Sequence, residues 1–264
     1  MYAFDFVKPT DLKSALAALE DPEALPLSGG QTLIPTLKQR LASPSCLVSL
    51  TAIPELQGVC QSAEGLSIGA ATTHAELSRA AAAAYPALAR LAGQIGDPAV
   101  RHRGTIGGSL ANNDPSACYP SAALASGAVM VTPRREIAAE DYFQGMFTTA
   151  LEEGEILTML RFPIPTRAAY VKFAQPASRF ALVGVFVADF EGDVRVAVTG
   201  AGAEGVFRWA EAEAALAEGF DPQALTPLAP PEQEMIADLH ASADYRAHLV
   251  GVMTRRAVLA AITG

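Results

Sequence analysis

Cysteine is scarce: Cys46, Cys60 and Cys118 are the only three, 14 and 58 residues apart. That spacing excludes a CxxC pair and any four-thiolate set, so the chain carries neither a structural zinc site nor an iron–sulfur cluster of its own. Basic residues are also in the minority, 19 Lys plus Arg against 28 Asp plus Glu, for a formal charge of −9. Such a balance repels a phosphate backbone and offers no face to an anionic membrane. Long apolar runs are missing too. The alanine-rich stretches at Ala80–Ala84 and Pro120–Val131 stop short of the roughly 18 residues that a span needs. The opening MYAFDFVKPT has no basic n-region followed by an apolar one, and an odd cysteine count without a disulfide pattern suits a reducing compartment. The expectation is a cytoplasmic protein.

What is present is a large core. Half of the 264 residues are hydrophobic and only 18% charged, with 21 Gly and 18 Pro marking many turns, which predicts a globular chain of two or three subdomains. An amphipathic helix starts after Lys8-Pro9, with Thr10 as its expected cap. A strand over Ala24–Leu27 runs through Ser28-Gly29-Gly30 into a helix over Leu33–Leu41. Strands at Cys46–Leu50 and Leu66–Ala70 precede helices over Thr73–Ala84 and Pro86–Gly93, so α and β alternate. Gly96–Asn113 reads as one long structured loop. Beyond it come a helix over Ser116–Ala128, extended segments at Val129–Thr132 and Ile156–Phe162, and a domain boundary at Pro163 and Pro165. Phe180–Phe190 and Val194–Thr199 form an antiparallel hairpin around Glu191-Gly192-Asp193. The tail, from Arg208–Glu218 to Ser242–Ile262, is mostly helical and places His240 and His248 two turns apart, where they need have no special role.

Two glycine pairs stand out, Ser28-Gly29-Gly30-Gln31-Thr32 and Thr105-Ile106-Gly107-Gly108-Ser109. Each alone reads as an ordinary tight turn. Together they point to a diphosphate held by backbone N–H groups converging where no Cβ intervenes. A valine at Gly29 or Gly107 is then expected to fill the phosphate's space while leaving the fold standing. No GxGxxG, GxxxxGK[ST], HExxH or GxSxG pattern accompanies the pairs, which removes specific support for Rossmann, P-loop, metalloprotease and hydrolase readings. Arg101-His102-Arg103, just before the second pair, reads either as a solvated loop or as help for a phosphate. Thr72, Thr73, Asn112, Asn113 and Asp114 read as turn-capping residues.

Taken together, these segments resemble the FAD-binding medium subunit of molybdenum hydroxylases of the carbon monoxide dehydrogenase and xanthine dehydrogenase type. The resemblance is carried by Ser28-Gly29-Gly30-Gln31-Thr32-Leu33-Ile34-Pro35, where the family has AGG-x-S-L-x-P, and by Ile68-Gly69-Ala70-Ala71-Thr72-Thr73-His74. The long loop from Ile95 to Asn112, including Gly96-Asp97-Pro98 and Thr105-Ile106-Gly107-Gly108-Ser109-Leu110, is its most specific part. Tyr170–Val187 and Asp238–Arg256 are similar to the family's C-terminal domain.

The resemblance implies an α+β protein: two α/β FAD-binding lobes of the PCMH/VAO-like kind, at residues 1–54 and 55–165, and a C-terminal antiparallel sheet with a helical tail at 166–264. It implies that Leu27, Ser28, Gly29, Gly30, Gln31, Thr32, Leu33 and Ile34, with Thr105, Ile106, Gly107, Gly108 and Ser109, grip the FAD diphosphate. Leu91 would lie near the ring system, Lys172 and the region around Thr158 would line the flavin, and Phe180 would cover its ring. It further implies electron transfer rather than substrate oxidation. Molybdopterin on a large subunit oxidises the substrate, [2Fe–2S] clusters on a small subunit relay the electrons, and FAD passes them to an external acceptor, in a heterotrimer or its dimer. At one place the sequence departs. The family's D-P-x-x-D-x-P is Asp114-Pro115-Ser116-Ala117-Cys118-Tyr119-Pro120 here, so a thiol stands where a carboxylate would hold the flavin. Replacing it by Asp is expected to tighten FAD roughly tenfold to a hundredfold. A stand-alone flavin oxidoreductase and a flavin-free assembly subunit remain as alternatives.

Overall fold

Three main sheets succeed one another along the chain, and their different strand orders decide where a cleft can open. The computed structural model describes residues 1–264. The first sheet combines β1 (Asp5–Val7), β2 (Ala24–Leu27) and β3 (Cys46–Ser49) in the order β1-β3-β2, all parallel. Parallel neighbours need crossover connections, supplied here by α1 (Leu12–Ala18) and α2 (Leu33–Lys38). The cap of α1 is Asp11, not Thr10: its backbone is extended and its carboxylate accepts the Ser14 N–H at 2.8 Å, the geometry an N-cap requires. Ala15, Val48, Ile53 and Leu56 close a small core that also takes in Ala71 and Ile156 from the next sheet's connections.

The second sheet contains β4 (Val59–Ser62), β5 (Gly65–Gly69), β6 (Val129–Val131), β7 (Glu136–Ala138) and, after a small hairpin of β8 (Phe143–Gly145) and β9 (Thr148–Thr149), β10 (Met159–Phe162). Its order is β4-β5-β10-β6-β7, and every pair is antiparallel. Alternation of α and β along this stretch thus does not build a parallel sheet, because five of its helices are gathered into one long excursion between β5 and β6. They are α3 (His74–Ala80), α4 (Pro86–Gly93), α5 (Pro98–Arg101), α6 (Ile106–Asn112) and α7 (Tyr119–Ser126), with α8 (Ala139–Tyr142) following β7. The segment read as a loop therefore holds two short helices. Asp97 caps α5 by accepting the Val100 N–H, and Thr105 caps α6 by accepting that of Gly108. Ile106 and Leu110 then pin the glycine-rich α6 to the core. Every residue of α7 is buried.

The third sheet runs β11 (Arg167–Ala174), β12 (Ala181–Phe190), β13 (Asp193–Thr199) and β14 (Phe207–Arg208) in sequence order, antiparallel throughout. Nine of the ten β12 residues are buried, because the strand divides two cores. Val183, Val185 and Val187 face α9 (Ala210–Glu218) and α10 (Ala243–Thr263), while Phe186 and Ala188 join the core beneath the second sheet and its helices, as a period of two dictates. Arg246 of α10 is buried, and its Nη1 donates to Leu182 O and Gly200 O at 2.7 Å while Nη2 pairs with Asp238. His240 lies before this helix rather than on it. No helix is long and apolar enough to cross a membrane.

Candidate functional site

A cleft of about 650 Å³ opens where the three sheets meet, within the size range of ordinary cofactor pockets. One wall is the loop from Leu27 to Leu33, the opposite one is α6 with Gly104 and Thr105, and the 114–118 turn, the 155–157 segment, Lys172 and Phe180 close the rest. Lys172 and Arg179 are its only cationic lining side chains. A phosphate entering this cleft is therefore met by backbone.

The first loop supplies that backbone. The N–H groups of Ser28, Gly29, Gly30, Gln31 and Thr32 donate to no protein acceptor, although Ser28, Gly29 and Gly30 are half-buried. Backbone donors that are withdrawn from bulk water almost always find a partner, so this row fits an anionic ligand. Gly30 has φ +70°, a conformation that favours glycine. Gly29 serves packing instead. A Cβ there would strike Arg103 O and sit 2.6 Å from the Gly104 Cα, so this glycine allows the two loops to touch. Ser28 Oγ and Thr105 Oγ1, 2.9 Å apart, tie them together.

The second loop is spent on its own fold. Ile106 N–H donates to Thr72 O, Gly107 N–H to Ala70 O, Ser109 N–H to Thr105 O and Gly108 N–H to the Thr105 hydroxyl. A Cβ on Gly107 would lie 2.6 Å from both the Cβ and the carbonyl oxygen of Ala70. The phosphate is thus not what forbids a side chain at Gly29 or Gly107, and valine at either would disturb the fold itself. Gly108 meets no backbone of another segment: a Cβ there would lie 2.9 Å from its own cap, the Thr105 Oγ1, and 3.9 Å from Ser28 Cβ across the gap.

Beneath Gly104 lies His74, buried at the start of α3 with its Nδ1 3.1 Å from the Tyr119 hydroxyl. Burial, aided by the Arg101 charge, lowers its pKa to about 4, so it stands neutral at physiological pH. Glu155 is likewise buried. Arg135 grips both carboxylate oxygens, at 3.1 and 2.8 Å, and Thr132 Oγ1 and Glu152 N–H add to the hold. Those bonds, that of Arg135 foremost, bring the pKa down to about 2 and fasten the segment whose Ile156 and Leu157 line the cleft. His74 closes the Ile68–His74 stretch on which the resemblance rests, and Glu155 to Leu157 adjoin Thr158. Their burial and pairing, however, are set across twenty or more residues, by Tyr119 for His74 and by Arg135 and Thr132 for Glu155.

Most of the residues that the resemblance implies come together here: Leu27 to Leu33, Thr105, Gly107, Gly108, Ser109, Cys118, Lys172 and Phe180 all line the cleft. Four do not. Leu91 and Ile106 are fully buried core side chains, because each points from its helix into the core it shares with Leu66, Ile68 and Leu160 of the second sheet. Ile34 turns toward Gly30, and Thr158 spends its N–H and hydroxyl on Val131 O and its carbonyl on Ala70. The Arg101-His102-Arg103 triplet also stays outside. Arg101 donates to Ile95 O and Gly96 O, and His102 Nδ1 lies 2.7 Å from Pro98 O. Asn113, at φ +42°, caps α6 and donates to Gly145 O and Thr148 O. Thr73 caps α3 and Thr72 bonds Gly58.

Such a cleft, with a row of free amides and few cations, has the form of a site that can receive an extended phosphate-bearing cofactor through the main chain. Residues 2–165 match the family described as the FAD binding domain in molybdopterin dehydrogenase. The chain is 35% identical over 275 residues to the carbon monoxide dehydrogenase medium chain of Afipia carboxidovorans, covering 97% of this chain and 96% of that one. To the nicotine 6-hydroxylase medium subunit of Paenarthrobacter nicotinovorans it is 32% identical over 280 residues, covering 98% and 97%. The solved structure of reconstituted CO dehydrogenase from Oligotropha carboxidovorans superposes with a TM-score of 0.88 at 34% identity, over 98% of each chain. This chain belongs to the FAD-binding family of the molybdopterin dehydrogenases.

Proposed function

We propose that this chain is the FAD-carrying electron-transfer subunit of a molybdenum hydroxylase complex. It assembles with a small [2Fe–2S] subunit and a large molybdopterin subunit as a heterotrimer or its dimer. Bound FAD would supply a carrier able to exchange electrons with iron–sulfur centres and with an external acceptor. The chain's own part is to hold and shield it. The amides of Ser28 to Thr32 receive the diphosphate, Thr105, Gly108 and Ser109 shape the opposite wall, and Phe180 stands at the mouth on the ring side. The observation that carries this reading is the row of five donors without protein acceptors in a cleft nearly free of cations.

His74, buried and neutral, and Glu155, bound to Arg135, are not free to move protons at the ring, which favours a transfer subunit over a self-sufficient oxidase. Relatives of similar identity carry the names of complexes for carbon monoxide and for nicotine. This supports a substrate pocket on the molybdopterin partner. We place the lobes at 1–54 and 55–165 and the C-terminal domain at 166–264, since each main sheet falls within one of these spans. The free thiols of Cys46, Cys60 and Cys118 suit the cytoplasm.

Co-purification from the native host with metal and flavin analysis tests the proposal. The expected result is one FAD per chain, molybdenum and iron in the partners alone, and flavin reduction by substrate only in the assembled complex. Metal near one equivalent on the isolated chain, or its flavin reduced by substrate without partners, would overturn it.

A further inference from the structure

Lys172, on β11, reaches out of the third sheet into the rim of the cleft. Its Nζ donates to Gln94 O at 2.8 Å and Arg179 O at 2.9 Å, and lies 3.6 Å from Cys118 Sγ. An ammonium has three N–H donors and no more, so all three are occupied. The acceptors belong to three different places: the end of α4 in the second lobe, the loop before β12, and the cap position of α7.

The loop that Lys172 seizes is residues 175–180. It closes on itself through Gln175 N–H to Phe180 O and Arg179 N–H to Gln175 O, both 2.8 Å, with Arg179 at φ +63°. Pro176 to Phe180 are all exposed, so no apolar anchor holds this loop down. Beyond Lys172, its ties are a 2.9 Å contact between the Gln175 Nε2 and His240 Nδ1 and a long 3.4 Å bond from Arg179 to Gly96 O. Yet Ser178, Arg179 and Phe180 line the cleft. A segment with so few buried contacts opens easily unless something fastens it.

We infer that Lys172 is a positioning residue, a strut that holds the 175–180 loop and its Phe180 closed over the cleft. This rests on the reading that FAD occupies the cleft. The ammonium acts through the loop, not on the flavin.

The test compares the full chain with Lys172→Met, each FAD-loaded and FAD-stripped, under an arginine-specific protease, following the Arg179–Phe180 bond by mass. Lys172→Met should be cut there about tenfold faster in both states, with Arg134 and Arg195 cut at the parent rate, and iodide should quench its flavin fluorescence more strongly. Lys172→Arg, whose guanidinium still reaches both carbonyls, should return within about threefold of the parent. Lys172→Gln serves where Lys172→Met does not fold. An unchanged rate at Arg179 would overturn the strut, and so would loss of FAD with that rate unchanged, which would make the ammonium a flavin contact. A parent chain that binds no FAD would defeat the flavin reading alone, because the stripped chain still reports on the loop.

Discussion

Between Ser28 and Thr32 five successive N–H groups have no protein acceptor, whereas between Thr105 and Ser109 four of five are committed to Thr72, Ala70 and Thr105 itself. Both stretches are glycine pairs flanked by hydroxyl residues, yet they have opposite tasks. The first presents a row of unpaired donors to the cleft. The second is a rigid wall against which the first is braced, through Gly29 on Arg103–Gly104 and Ser28 on Thr105. A glycine pair therefore carries two separable requirements, close approach to another backbone and room toward the cleft, and each pair here puts the backbone contact on one member, Gly29 or Gly107.

The sharpest way to break the contrast is Gly29→Val. With backbone on the other side of the contact nothing flexible can yield, so the apo-chain should lose roughly 3 kcal/mol together with FAD, and Gly107→Val should behave alike. Thermal unfolding of both apo-proteins decides; parent-like melting would show that the loops do not brace each other. The second wall should also fail first in acid. His74 has its pKa lowered to about 4 when folded, against about 6.5 unfolded. Between these values the unfolded chain binds more protons, so stability is full above about pH 6.5 and declines as pH falls toward 4, by on the order of 2 kcal/mol at pH 5. Denaturant titrations across that window should show the decline in the parent and much less of it in His74→Phe.

Thr105→Val removes both the α6 cap and the bond to Ser28 and should cost about 1–2 kcal/mol. Gly108→Ala faces the gap, so FAD affinity should suffer more than stability, whose loss is bounded by the Thr105 cap at about 1 kcal/mol. Equal losses in titration and in unfolding would erase the distinction between the two glycine requirements. The smallest effect is expected at Cys118. Lys172 stands 3.6 Å from its sulfur, so the carboxylate of Cys118→Asp would pair with that ammonium before it met a flavin. FAD titration should then give a dissociation constant within about threefold of the parent, and a tenfold tightening would show that the carboxylate reaches the flavin instead.

The sequence alone specified the parts with a local cause. The helix stopped by Asp21-Pro22, the strand entering Ser28-Gly29-Gly30, the β12–β13 hairpin at Glu191-Gly192, and the two glycine pairs with their flanking residues are all written within a few positions of themselves. So are the scarce cysteines that leave the metal chemistry to other chains. The rest was decided by tertiary structure. The Gly96–Asn113 stretch becomes helix at α5 and α6 because Asp97 and Thr105 cap it and Ile106 and Leu110 are buried, and no periodicity announces that outcome. Leu91 and Thr158 fall outside the cleft while Glu155 to Leu157 fall inside, because α4 turns Leu91 into the core and Thr158 is spent on Val131 and Ala70. Which glycine loop keeps its amides free is likewise beyond sequence. It depends on whether a carbonyl from elsewhere, here Ala70 or Thr72, arrives within hydrogen-bond reach, and only the packed chain brings those carbonyls near.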